Sequence, residues 1–260
     1  QTFSLLGYPD SWKWMEVLVF SGAVLTYSFH RIFSFDSKEA SSRPYFWVKE
    51  HYVLTLIICA ISISLCVLSS IYLSFESFYS LVPMFLLTAL YIWPSIPVGK
   101  NRVRLKDIPH AKIWIISFVI SFVTVLFPSV ELLGLTAYYN TDVWLLFLER
   151  FCFVVAITIP FDIRDIERDK ERGLKTIPTS LGVFSSLVCS LGLLLMVLMI
   201  TFIQAYIGDL VDKDHLLQLF IALLITAIII METSQAKSDY FFSGLVESTM
   251  LLYALSLCMG

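Results

Sequence analysis

Apolar and polar residues alternate along this chain in long blocks, not singly. Eight apolar runs can be marked, at residues 14–35, 52–75, 78–93, 113–130, 143–161, 183–207, 216–231 and 240–260. Most approach the roughly 20 residues that a helix needs to cross a bilayer, although 78–93 and 216–231 are short. In hydrocarbon every backbone polar group must be satisfied within the protein, which leaves helices or closed barrels. Barrel strands are about ten residues long and alternate apolar with polar positions, so runs this long and continuous predict helices. The expected architecture is an all-α integral membrane protein, a single domain over residues 1–260. No soluble domain, low-complexity tract or Gly-rich phosphate loop interrupts it.

Composition agrees, with 58% hydrophobic and 15% charged residues and a mean hydropathy of +0.81. The net charge of −3 gives no case for nucleic acid. Charge placement adds an orientation. Of the 18 basic residues, 15 fall in alternate connections: Arg31, Lys38, Arg43 and Lys49; Lys100, Arg102, Arg104, Lys106 and Lys112; Arg164, Arg168, Lys170, Arg172 and Lys175; and Lys237. The opposite connections hold Lys13 and Lys213, and Arg150 lies inside a run. Such a bias puts the four basic connections in the cytoplasm, and the expected location is a bacterial inner (plasma) membrane. The chain opens at Gln1 with a short apolar scrap, Thr2-Phe3-Ser4-Leu5-Leu6. It reads as the tail of a preceding helix, with a cleaved signal peptide as the rival explanation. Cys59, Cys66, Cys152, Cys189 and Cys258 are scattered through apolar runs and make no metal or disulfide spacing, so they read as buried filler.

The densest chemistry follows the fifth run. Residues 161–178 carry ten charges, in the order Asp162, Arg164, Asp165, Glu167, Arg168, Asp169, Lys170, Glu171, Arg172 and Lys175. On a helix, Asp162, Asp165 and Asp169 would fall within an arc of about 60° on one face. Like charges so placed repel by roughly 0.2–0.5 kcal/mol per pair, so a stripe of three carboxylates invites a hard cation. Such oxygen ligands suit Mg²⁺, which keeps several waters and shares its sphere with phosphate oxygens. The competing explanation is a solvated polar loop, neutralised by Arg164, Arg168 and Arg172 on the neighbouring face.

The motif Asp162-x2-Asp165-x3-Asp169-x3-Gly173-x2-Thr176-x-Pro178, closing a membrane helix on its basic side, resembles the second aspartate-rich motif of the UbiA family of intramembrane prenyltransferases. The stretch Tyr91-Ile92-Trp93-Pro94 with Lys100, Arg102, Arg104 and Lys106 is similar to the family's basic loop, with a longer spacing from Tyr91 to Lys100. The resemblance implies a UbiA-like multi-helix bundle, with eight spans in this chain and nine in the full protein. It implies transfer of an isoprenyl group from an isoprenyl diphosphate to an aromatic or lipid acceptor with Mg²⁺. Asp162, Asp165 and Asp169 would then be the catalytic metal ligands, and Lys100, Arg102, Arg104 and Tyr91 would bind substrate. When an allylic diphosphate ionises, a metal and fixed cations stabilise the leaving group. Aromatic faces stabilise the cationic chain.

One part departs from the family pattern. Where a first aspartate-rich motif is expected, the chain has Thr26-Tyr27-Ser28-Phe29-His30-Arg31-Ile32-Phe33-Ser34, without carboxylates. His30 and Arg31 are the substitute diphosphate ligands, Arg being suited to a bidentate grip on phosphate. The alternative is an ordinary positive-inside helix end. Glu149 and Arg150 lie inside the fifth run, Arg150 about 18 Å from Asp162 along a helix, and need a cavity or partners. Glu247 is one possible partner for Arg150. Two rival functions stand beside prenyl transfer. One is a non-catalytic isoprenoid- or lipid-binding membrane protein that kept half a site. The other, weaker one is a transporter, which the absence of Gly/Pro-broken span pairs argues against.

Overall fold

The computed structural model describes residues 13–33, 48–93, 96–98, 101–105, 108–171, 173–207 and 215–256. The chain divides into two compact units between Tyr79 and Ser80.

In the first unit, α1 (Lys13–Phe33) and α2 (Tyr52–Ser70) run antiparallel. Trp14, at the start of α1, stacks on Tyr72 just past the end of α2, with centroids 4.4 Å apart. The Ser21 hydroxyl meets the Cys66 thiol at 3.1 Å. The buried positions of α2 are Thr55, Cys59, Ser62 and Ser69, whereas Leu56, Ile57, Ile61 and Ile63 are exposed. This is the pattern of a lipid-facing helix: lipid is as apolar as leucine, so small residues that let backbones approach take the interface. Helix α3 (Phe75–Ile92) contains Pro83 and leads from this unit into the second.

A short antiparallel hairpin follows, β1 (Ile96–Val98) with β2 (Asn101–Val103), in the register Pro97 opposite Arg102. It lies in the basic connection that sequence patterning treats as an irregular loop. The next span begins as α4 (Ala111–Ser121), widens into a π turn at Phe122–Leu126, and continues as α5 (Phe127–Leu133) and a 3₁₀ segment (Gly134–Tyr139). Pro128 has no N–H to give to the carbonyl four residues back, and the wide turn sits immediately before it.

Helix α6 (Thr141–Arg164) is the axis of the second unit. Asn140 caps it, its side-chain oxygen accepting from the N–H groups of Asp142 (2.8 Å) and Val143 (3.4 Å). From Cys152 to Pro160 every residue is buried. Beyond it come α7 (Ile166–Glu171), α8 (Ile177–Leu181), α9 (Val183–Tyr206) and α10 (His215–Met231). The last span opens as a π segment (Phe241–Val246) and ends as α11 (Glu247–Ser256). One core joins Phe153 and Ile157 of α6 to Leu194, Val197, Leu219, Phe242 and Val246. A second joins Ile113 of α4 to Val155, Ile159 and Ile163. The α6–α9 contact is close enough for the Ser190 hydroxyl to donate to the Ala156 carbonyl at 2.5 Å.

All eight apolar runs contain helix. Among the described residues, four helical stretches are long and apolar enough to cross a membrane: Tyr52–Ser70, Ala111–Tyr139, Thr141–Arg164 and Val183–Tyr206. The other four runs form shorter apolar helices, Trp14–Phe29, Phe75–Tyr91, Leu216–Met231 and Phe241–Ser256. The protein is an integral membrane protein with an essentially all-helical fold.

The intramembrane charges acquire partners. Glu149 is 1% exposed, and Tyr253 of α11 donates its hydroxyl to Glu149 Oε1. Thr201 of α9 donates to the same oxygen at 3.1 Å. With the Gln204 amide oriented so that its carbonyl accepts from Leu146 N–H, its nitrogen donates to Glu149 Oε2 at 2.6 Å. The Arg150 guanidinium lies over the Tyr253 ring, 5.2 Å from its centroid. A buried carboxylate in hydrocarbon is thus satisfied by donors from two other helices.

Candidate functional site

One end of the second unit gathers the polar chemistry. The start of α4, the end of α6 and the loop leading into α9 meet there. The His110 N–H donates to the Lys175 carbonyl at 2.8 Å, which ties the basic connection before α4 to the one after α6. Arg164 approaches Asp239 at 3.7 Å and lies over the rings of Phe161 and Phe242, which brings the connection before α11 to the same end. Three basic connections that alternate in sequence therefore share one end of this unit.

A small pocket opens at this end. Its polar lining is His110, Lys112, Asp162, Asp169, Lys175 and Thr176, backed by Ile108, Ile113, Leu174 and Ile177. Asp162 is 1% exposed and Asp169 is buried with it. Lys112 Nζ donates to Asp162 Oδ1 at 3.0 Å. Asp162 Oδ2 is buried and has no hydrogen-bond partner among the described residues. A buried carboxylate oxygen left so is costly unless something else meets it. Tyr91, at the end of α3, and Asp165 are both close enough to act electrostatically on Lys112.

The third aspartate faces elsewhere. Helix α6 ends at Arg164, Asp165 adopts φ −91° and ψ 7°, and α7 starts at Ile166. The break rotates the stripe. Asp165 is gripped by Arg164 through Nε (3.1 Å) and Nη2 (3.2 Å), and Arg168 comes within 3.7 Å. The hydrogen-bonded turn that follows returns Lys175 and Thr176 to the pocket. Leu174 N–H donates to the Asp169 carbonyl, Gly173 takes φ +68°, and Thr176 with Thr179 forms a capping box at the start of α8. Pro178 stands in the first turn of α8, where its missing N–H costs nothing.

Of the residues singled out from sequence, the structure brings Asp162 and Asp169 together in the pocket, sets Tyr91 near Lys112, and turns Asp165 to two arginines. Arg104 is described and half-buried, following β2. Lys100 and the side chains of Arg102, His30 and Arg31 lie outside the described residues. Sequence reasoning counted Lys112 only as a loop charge. Its signal was its position, a lone lysine at the mouth of an apolar run, 50 residues before the aspartate it meets.

Among the described residues no group of three or more His, Cys, Asp or Glu side chains is gathered as a metal cage. The donors nevertheless suit Mg²⁺, which binds through one or two carboxylates plus waters and substrate phosphates. Asp162 Oδ2 and Asp169 are the carboxylates that could hold it.

An aromatic row runs along α4 and α6. Trp114 stacks on Phe151 (5.9 Å) and Phe151 on Phe147 (6.2 Å). Phe118 and Trp144 meet Phe147 edge-on at 5.6 and 5.5 Å.

No curated protein sequence matches the chain. One solved structure of similar fold is a digeranylgeranylglyceryl phosphate synthase of membranes, with a TM-score of 0.55 and 20% identity. The alignment covers 95% of this chain and 84% of that one. Residues 47–242, which include the hairpin, the pocket and most of the bundle, match the UbiA prenyltransferase family. That match spans most of the sequence and contains every described pocket residue, so the chain belongs to the UbiA prenyltransferase family.

Proposed function

We propose that this protein transfers an isoprenyl group from an isoprenyl diphosphate to an aromatic or lipid acceptor, with Mg²⁺, at the basic end of its bundle. The carrying observation is the pocket. It joins two buried carboxylates, one with an open oxygen, to Lys112 and Lys175. In the reaction the allylic C–O bond breaks and the diphosphate leaves with the electron pair. The acceptor then forms the new bond to carbon and gives up a proton. Bound Mg²⁺ would neutralise charge on the departing diphosphate. Asp162 and Asp169 would hold it. Lys112, with one N–H on Asp162, has two more to offer phosphate oxygens, and Lys175, exposed on the pocket lining, would add a second cation. Tyr91, at the end of α3, and Arg104, on the basic connection that follows, would complete the substrate grip. The aromatic row offers π faces and apolar surface to the isoprenyl chain, worth roughly 0.8 kcal/mol per buried CH₂. The basic end faces the cytoplasm of a bacterial inner membrane in this reading, because basic connections are retained on that side.

The test is transfer of labelled isoprenyl diphosphates to a panel of aromatic and lipid acceptors by purified protein in lipid nanodiscs. Parent protein should yield product that requires Mg²⁺, and Asp162→Asn or Asp169→Asn should lower the rate at least 100-fold. Diphosphate binding with no product from any acceptor would reassign the chain to isoprenoid binding.

A further inference from the structure

The Lys112–Asp162 pair sits where a divalent ion would bind. Its ammonium takes one oxygen of a carboxylate that is 1% exposed, while the other oxygen remains open. The Lys112 side chain itself is 32% exposed, so it reaches the carboxylate from the mouth of the pocket. Taking both charges out of water is expensive, and an ion pair repays this only with further hydrogen bonds. Asp162 Oδ2 lacks one. The pair is therefore an incomplete solution for Asp162 taken by itself, and Asp169 lines the same pocket.

We infer that Lys112 is a built-in cation that competes with the divalent ion for Asp162. In the substrate-free protein the ammonium holds the carboxylate in place and neutralises it. Lys112 would oppose a divalent ion held by Asp162 and Asp169, so the affinity of that ion without diphosphate would be low. Diphosphate reverses the balance: it brings negative charge that both the metal and Lys112 can share, and the ammonium moves its hydrogen bonds toward phosphate. Metal and diphosphate then bind with positive cooperativity, and an empty site is spared a tightly held ion. Part of the charge that carboxylate-bound metal would carry is supplied by a side chain. This inference rests on the metal-dependent reading above and adds the order of events within it.

The experiment uses the full chain in nanodiscs with Mn²⁺ as a paramagnetic substitute for Mg²⁺ and inorganic diphosphate as the anion. Free Mn²⁺ is followed by electron paramagnetic resonance. Lys112→Met and Lys112→Gln, the latter keeping a hydrogen bond to Asp162 without the charge, should bind Mn²⁺ at least tenfold tighter in the absence of diphosphate. Both should lose most of the diphosphate-induced gain in Mn²⁺ affinity. Lys112→Arg should stay within about threefold of the parent. In the parent, adding Mg²⁺ with diphosphate should change the rate at which a water-soluble amine reagent modifies Lys112, followed by mass spectrometry. Unchanged or weaker Mn²⁺ binding in both neutral variants, with Asp162→Asn still losing the ion, would overturn the role of Lys112 and leave the metal site standing. Mn²⁺ binding that survives both Asp162→Asn and Asp169→Asn would remove the metal reading, and this inference with it.

Discussion

Single side chains in this protein are governed by what happens to a charge away from water. Glu149 lies in the middle of α6 with donors from Tyr253, Thr201 and Gln204, which anchors α6 to α9 and α11. Removing one donor leaves the carboxylate under-satisfied without changing side-chain volume much. Tyr253→Phe should therefore lower stability by about 1 kcal/mol, within the range for interhelical hydrogen bonds in membranes. Thermal unfolding in detergent checks this against Tyr139→Phe, where the ring is 89% exposed and no effect is expected. At the pocket, the same logic separates the three aspartates. Asp162 is buried against Lys112, whereas Asp165 is paired with Arg164 and Arg168 at the helix break. Asp165→Asn should weaken Mg²⁺-dependent diphosphate binding less than a third as much as Asp162→Asn on a logarithmic scale, measured by titration calorimetry. Equal losses would mean that Asp165 swings into the pocket when ligand binds.

At the scale of elements, the loop after α7 is what returns Lys175 and Thr176 to the pocket. Gly173 makes the turn at φ +68°, and a Cβ there would meet nothing within 4 Å. The cost of Gly173→Ala is therefore backbone strain alone, about 1–2 kcal/mol. Gly192, inside α9, also has open space around it. Gly192→Ala should be neutral or stabilise by roughly 0.5–1 kcal/mol, because alanine loses less backbone freedom in a helix. Opposite signs for the two glycines in the same unfolding assay would check the turn. Gly173→Ala should also weaken diphosphate binding, since it displaces the segment that carries Lys175. The motif was legible here as a string, and its Gly and Pro positions proved to be a turn and a helix start. What no string shows is that α6 stops at Arg164. Until that break is known, the three carboxylates read as one stripe.

At the scale of the whole molecule, connections separated by one apolar hairpin return to the same end of the second unit, as His110–Lys175 and Arg164–Asp239 show. Cysteines introduced near Lys170 and near Lys237 should react with an impermeant reagent from one face of a sealed membrane, and one near Lys213 from the other. With the basic side retained in the cytoplasm, the first pair should be labelled only in inside-out vesicles. Labelling of all three from one face would break the alternation of spans.

The amino-acid sequence by itself determined that this is a helical membrane protein, where its apolar runs fall, which connections are basic, and that one aspartate-rich motif closes a helix. Those features are local: lipid demands internal backbone pairing from each segment separately, and a run of apolar residues meets that demand without reference to the rest of the chain. Tertiary structure decided the rest. It chose Asp162 and Asp169 for the pocket and Asp165 for the arginines, and it set Lys112 on a carboxylate 50 residues away. It also gave Glu149 a tyrosine 104 residues away. These pairings depend on how each helix is rotated about its axis and where it stops. Packing among several helices sets both, and lipid, equally apolar to every face, gives the single segment no direction in which to turn.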